Sequence, residues 1–222
     1  MTKQTTLLLA SNSPRRRELI ALGNWTVSLA VSNVDEGRRP DEPAREYVLR
    51  VAGAKARAAA EGRAEQIVVG ADTAVVDGGS ILGKPRDALD AVAMLKRLRG
   101  HAHQVYTGLA ILRTHDRRLV TDLCITDIPM RDYSDAEIEA YVRTGDPLDK
   151  AGAYAIQHPH FQPVKSMQGC YASVMGLPLC HLMRTLHHLD IPAAADVPAN
   201  CQKHLHYQCP VSSAILRGGQ VG

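Results

Sequence analysis

The sequence predicts an α/β protein, a sheet with helices packed outside it. Three observations carry this. Apolar runs of strand length recur between stretches of helical periodicity. The helical stretches bring their own start and stop residues. The composition, 45% hydrophobic and 22% charged with a mean hydropathy of −0.16, is that of a chain with a real core. At 222 residues, against a prior of ~150 per domain, the chain is expected to form one domain with lobes or a tail.

Thr5 to Ala10 reads as a short buried strand. Ser13 is a good N-cap, Pro14 suits the first helical position, and Gly23 is a stop, so a helix follows. Trp25 to Ser32 alternates as a second strand. Asp41-Glu42-Pro43 announces a helix of about 18 residues with Tyr47, Val48, Val51, Ala54 and Ala58 on one face. Gln66 to Val76 is a strand with an interrupted centre, and Asp77-Gly78-Gly79-Ser80 is a hairpin turn.

A helix is predicted from about Asp87 to Leu98, with Ala91, Met94, Leu95 and Leu98 inward. Val105 to Arg113 and Leu119 to Met130 form a long hairpin around Thr114-His115-Asp116-Arg117. Ser134 caps a helix to about Arg143. Gly169 to Met175 reads as a strand and Leu177 to Leu189 as a helix. Ala193 to Ala199, rich in Ala and Pro, reads as a linker into a tail.

The charges exclude some functions. The net charge is only +3, with 4% aromatic residues, so nucleic acid is an unlikely partner. Lys and Arg total 26, of which 19 are Arg, a bias that does not by itself locate a site. No apolar run approaches the ~20 residues of a membrane span. The apolar start, Leu7 to Ala10, is too short for a signal peptide, so the cytoplasm is the expected compartment. The five cysteines form no C-x-x-C pair. Cys201, His204, His206 and Cys209 fall close together, but their spacing matches no standard zinc pattern.

Three constellations carry chemistry. In Ser11-Asn12-Ser13-Pro14-Arg15-Arg16, two hydroxyls and two guanidiniums surround a helix start. Cations there oppose the helix dipole, and a bound polyanion would reverse that cost. The alternative is a plain cap with solvated arginines. Asp72, between apolar strand halves, would be costly to bury unpaired. A metal, a lysine or a structural bulge could each account for it. Asp35, Glu36, Lys55 and Lys84 are dispersed charges. Together they suit a triphosphate with a divalent metal. No P-loop or G-x-G-x-x-G motif is present.

In order, these pieces resemble the Maf family of nucleoside triphosphate pyrophosphatases. The strings are Leu-Ala-Ser-Asn-Ser-Pro-Arg-Arg at 9–16, Val-Asp-Glu at 34–36, Ala-Lys-Ala at 54–56 and Gly-Ala-Asp-Thr at 70–73. Leu-Gly-Lys-Pro at 82–85, His-Gln-Val-Tyr-Thr-Gly at 103–108 and Asp-Lys-Ala-Gly-Ala-Tyr-Ala-Ile-Gln at 149–157 follow. Gly-Cys-Tyr at 169–171 and Gly-Leu-Pro-Leu at 176–179 complete the series. The match spans about residues 5 to 190.

The resemblance implies a two-lobed mixed sheet with flanking helices and a central cleft, as in inosine triphosphate pyrophosphatases. It implies hydrolysis between the α and β phosphates of dTTP or UTP, or of modified pyrimidine nucleotides, as pool housekeeping. It implies a divalent cation, Mg, Mn or Co. Ser11, Ser13, Arg15, Arg16 and Lys84 are the phosphate ligands by resemblance. Asp72, Lys55 and Glu36 are the catalytic set, with Glu36 and Asp72 at the metal. Thr73 and Gln157 match positions of base recognition. The competing function is a nucleotide-binding regulator of septum formation with little turnover.

Two departures stand out. Ala155 replaces a common Gly, and His158-Pro159-His160 follows Gln157 near the expected base pocket. The expected organisation is a catalytic domain over 1–192 and a tail over 193–222. That tail could pack on the surface, extend a homodimer interface or stay mobile.

Overall fold

The structure is a computed structural model describing residues 6–64, 66–193, 195–219 and 221–222. Six strands form one mixed sheet. They are β1 (Thr6–Ala10), β2 (Thr26–Ala30), β3 (Ile67–Asp77), β4 (Ser80–Leu82), β5 (Ala102–Arg113) and β6 (Arg118–Pro129). The order is β2-β1-β3-β5-β6, with β4 paired to β3. β1 runs parallel to β2 and β3, while β5 runs antiparallel to both of its neighbours, β3 and β6.

One edge of β3 is shared. β1 pairs with Ile67 to Val69, and β4 pairs with Val75 to Asp77. β5 occupies the opposite edge along Ile67 to Val76. Residues 70–74 therefore have no strand partner on the first edge among the described strands. This gap divides the molecule into two lobes and opens the cleft.

Each lobe has its own core. In the first, α1 (Pro14–Ala21) and α6 (Leu179–His187) cover Leu7, Leu9, Val69, Leu109 and Ile111. On the other face of that sheet, α2 (Ala44–Ala60) lays Ala52, Ala56 and Ala59 on Leu8, Val68 and Ala110. In the second lobe, α3 (Ala88–Leu98) and α4 (Asp135–Arg143) pack on Val75, Val105 and Ile128. Each fully buried Leu or Val there contributes roughly 1.5–3 kcal/mol.

Local signals explain several helix starts. The Ser13 and Asp87 side chains accept from Arg16 N and Asp90 N. Ser134 and Glu137 form a reciprocal capping box. At the hairpin, Gly78 and Gly79 have φ of 54° and 79°, which suits a tight two-residue turn.

Several expectations are corrected. β3 runs unbroken through Gly70-Ala71-Asp72-Thr73. The buried face of α2 is Val48, Val51, Ala52, Lys55, Ala56 and Ala59, so Tyr47, Ala54 and Ala58 lie at its margin. α1 closes before Gly23 as expected, with Leu22 as C-cap, and the missing Cβ of Gly23 also admits the Trp25 ring. Gly169 to Met175 is not a strand. Tyr171–Val174 is a helical turn, α5, begun by Ser173 N donating to Cys170 O.

The stretch read as a linker already contains a helix start. α7 (Val197–Leu205) packs on the first core through buried Val197, and α8 (Ser212–Leu216) lies against α6 with Ile215 buried. His204 Nε2 meets Glu18 Oε1 at 2.7 Å, and Arg184 Nη1 donates to the Ile215 and Gly219 carbonyls. All five cysteines are free thiols. Thr5 lies outside the described residues.

Candidate active site

The gap in the β3 edge sets the floor of a cleft of about 690 Å³. Alternation along β3 turns Asp72 to the α2 face and Thr73 to the α5 face. On the α2 face, Gly70 and Gly108 let the helix lie close. A Cβ at Gly70 would collide with the Ala52 carbonyl, and one at Gly108 would stand 2.7 Å from the Val48 carbonyl oxygen. This close approach brings Lys55 onto the sheet.

Lys55 Nζ lies 2.8 Å from Asp72 Oδ1 and 3.0 Å from Glu36 Oε1. Lys55 and Asp72 are both buried, whereas Glu36 is half exposed. The second Asp72 oxygen, Oδ2, is buried with no hydrogen-bond partner. Burial holds the Asp72 carboxyl above its usual range, while Lys55 and Arg16 oppose that shift. An unpartnered carboxylate oxygen beside a cleft is an open acceptor for a proton or a cation.

Glu36 sits on a loop that is tied down. The Tyr47 hydroxyl donates to the Glu36 carbonyl at 3.0 Å. Arg50 Nη2 donates to the Gly37 carbonyl at 2.8 Å and also grips Glu42.

The cationic wall comes from α1. Its first turn contains no acidic residue, so the helix dipole and Arg15 and Arg16 act together on an anion. Arg16 is held on three sides. Its Nε donates to the Gly176 carbonyl at 2.8 Å, Nη1 to Ser11 Oγ at 3.4 Å, and Nη2 to Thr73 Oγ1 at 3.3 Å. A guanidinium has five N–H donors, so one remains on each Nη as a fork. Burial lowers the Arg16 pKa, with Asp72 and Glu36 raising it. Gly176, with φ of 104°, puts its carbonyl on Arg16. A Cβ there would press on Arg16 Nε at 3.1 Å.

Ser11, Ser13, Arg15, Arg16, Glu36, Lys55, Asp72, Thr73, Lys84 and Gln157 all line this one cleft, whereas Asp35 lies outside it and accepts from the Gly37 N–H at 2.7 Å. Lys84 and Gln157 are exposed at its rim. Lys150 and Tyr154 also line it and were not assigned a role from sequence. Lys150 gives its three protons to Asp146 O, Asp146 Oδ1 and Asp149 Oδ1, so it braces a turn. The Asp146/Lys150 spacing of four was the available signal. The Tyr154 hydroxyl is joined to His103 Nε2 at 2.9 Å.

The donor set fits a hard divalent cation. Glu36 and Asp72 supply two carboxylates, one with an unused oxygen. Among the described residues, no group of three or more His, Cys, Asp and Glu gathers for a metal. Two carboxylates plus substrate phosphates is a normal way to hold magnesium.

Fold and cleft together define the class: an α/β protein whose cleft sets a cationic wall beside a buried, lysine-clamped carboxylate. The Maf-like protein family matches residues 6–189, and the chain belongs to that family. It is 45% identical over 193 residues to a dTTP/UTP pyrophosphatase of Hahella chejuensis, covering 86% of this chain and 95% of that protein. It is 43% identical over 187 residues to a dTTP/UTP pyrophosphatase of Escherichia coli O157:H7, covering 84% and 94%. Among solved structures, the Staphylococcus aureus Ham1 protein is a loose likeness, with TM-score 0.40 and 14% identity over 72% of this chain and 91% of that one.

Proposed function

We propose that this chain hydrolyses the α–β phosphoanhydride of dTTP and UTP, releasing the nucleoside monophosphate and pyrophosphate. The observation that carries the reading is Asp72. It is a buried carboxylate with one oxygen paired to Lys55 and one unpartnered, on the floor of a cationic cleft. Relatives at 43–45% identity bearing the dTTP/UTP pyrophosphatase name support the substrate class.

In this reading the triphosphate lies against the α1 N-terminus. Ser11, Ser13, Arg15 and the free fork of Arg16 hold its phosphate oxygens, and Lys84 closes from the opposite lobe. Asp72 accepts a proton from a water that attacks the α-phosphorus. The Pα–O bond to the β-phosphate breaks, and pyrophosphate leaves with its charge met by Arg and Lys. Positioning and charge stabilisation supply most of the rate. A divalent cation held by Glu36 and Asp72 would neutralise phosphate charge and acidify the attacking water. Thr73 and Gln157 face the base.

We read residues 193–222 as an appended tail outside the catalytic unit, and the cytoplasm, where the nucleotide pool is used, as the site of action. A panel of nucleoside triphosphates scored for pyrophosphate and monophosphate tests the proposal. The expected result is pyrophosphate from dTTP and UTP. Release of inorganic phosphate, or tight binding without turnover across nucleotides and metals, would overturn it.

A further inference from the structure

Thr73 and Thr107 are paired across β3 and β5, with their Oγ atoms 3.0 Å apart. Chemistry assigns the protons between them. Thr107 Oγ1 lies 2.8 Å from the Ser173 carbonyl oxygen, which can only accept. Thr107 is the donor there, and its single proton is used. In the pair with Thr73, Thr73 therefore donates. On its other side, Thr73 Oγ1 receives an N–H from Arg16 Nη2, which can only donate. The Thr73 oxygen has then given its proton and filled one lone pair. Toward the cleft it keeps a lone pair alone.

Ser173, which carries the carbonyl that Thr107 meets, is itself tied down through its side chain. The Ser173 hydroxyl donates to the Cys170 carbonyl at 2.9 Å, so Thr126 Oγ1 donates to Ser173 Oγ at 2.6 Å. Thr107, Thr126 and Ser173 are all fully buried. No solvent enters to reverse the order, and each member is satisfied, which holds such a network in one arrangement. A ligand atom meeting Thr73 has to bring a proton. An ionised phosphate oxygen is an acceptor and is refused.

We propose that Thr107 is a positioning residue that fixes Thr73 as a one-way acceptor, so that the cleft selects a base with a ring N–H. The imide N3–H of uracil and thymine meets that demand. Cytosine, whose N3 is an acceptor, does not. The inference rests on reading the cleft as a pyrimidine triphosphate site with Thr73 against the base.

The test is calorimetric binding of UTP and CTP in excess EDTA, which requires no turnover. It compares wild type, Thr107→Val, Thr107→Ser, Thr73→Val and the double variant Thr73→Val/Thr107→Val, each checked for its melting temperature. Wild type is expected to prefer UTP at least about tenfold, as a mismatched buried hydrogen bond demands. Thr107→Val frees the Thr73 proton and collapses that preference toward unity. Thr107→Ser keeps the hydroxyl and the preference. In the Thr73→Val background, Thr107→Val changes the preference no further. If Thr107→Val does not fold, loss of the preference in Thr73→Val and its retention in Thr107→Ser carry the test. UTP binding without preference over CTP in wild type overturns this inference alone. Absence of pyrophosphate release from UTP and dTTP with a divalent cation present overturns the functional reading beneath it.

Discussion

Gly70 of β3 lies directly beneath Ala52 of α2, where a Cβ would collide with the Ala52 carbonyl oxygen and stand 2.9 Å from Ala56 N. One turn along the helix, the same closeness brings Lys55 to Asp72. Packing and chemistry thus share one determinant. Gly70→Ala is expected to push α2 off the sheet, costing about 1–3 kcal/mol as overpacking does. It also separates Lys55 from Asp72. Urea unfolding and kcat should fall together. A stable variant with full activity would show that the helix can shift without disturbing the site.

Asp72 imposes a pH dependence on stability. Burial raises its pKa above the ordinary 3.8. A carboxyl harder to ionise when folded contributes stability fully present below its unfolded pKa. That contribution is lost as pH rises through the raised folded value. Asp72→Asn removes the loss. Its urea midpoint relative to wild type is expected to climb as pH rises from about 3.8 upward. A difference that is flat with pH would mean that the carboxyl is not strained by burial.

Glu42 works in the opposite sense. Its hydrogen bond from Arg50, aided by the backbone of Arg39, lowers its pKa from 4.5 to about 2. Its contribution is present above 4.5 and lost as pH falls through about 2. Glu42→Gln should therefore flatten the acid limb of stability in that window. The same residue secures Arg50, which holds the Gly37 carbonyl next to Glu36. A raised KM together with a lowered melting temperature at neutral pH is expected. An unchanged acid limb would remove Glu42 from this role.

Arg16 is not replaceable by lysine. Three of its N–H groups bind Gly176, Ser11 and Thr73, and the remaining two form the fork. Arg16→Lys keeps the charge and loses the geometry. A fall in kcat/KM on the order of 10²-fold is expected, in line with removal of a preorganised donor. Activity within a few-fold of wild type would show that charge alone suffices.

What could be read from the sequence was largely local. Ser13, Asp87 and Ser134 announce their helices because each cap acts within three residues. Asp77-Gly78-Gly79-Ser80 announces its hairpin for the same reason. Asp72 and Lys55 were legible as chemistry because charges amid apolar or small residues need partners, and Arg16 because a cation in a helix's first turn opposes the dipole. The failures were non-local. Gly169 to Met175 looked like a strand, yet Ser173 is committed to Cys170 and Thr126, and the cores on either side surround it. Thr107 carries no signal of its own, since its acceptor is 66 positions away. The α7 start inside an Ala/Pro-rich stretch was hidden because Asp196 caps it only once Val197 has a core to enter.

The most direct measurement is pyrophosphate release from UTP and dTTP with manganese, by wild type and Asp72→Asn. Wild type should turn both substrates over. The variant, folded and still binding UTP, should be slower by about 10²-fold or more, as loss of a general base requires. A variant as fast as wild type would contradict the assignment of the proton-accepting role to Asp72.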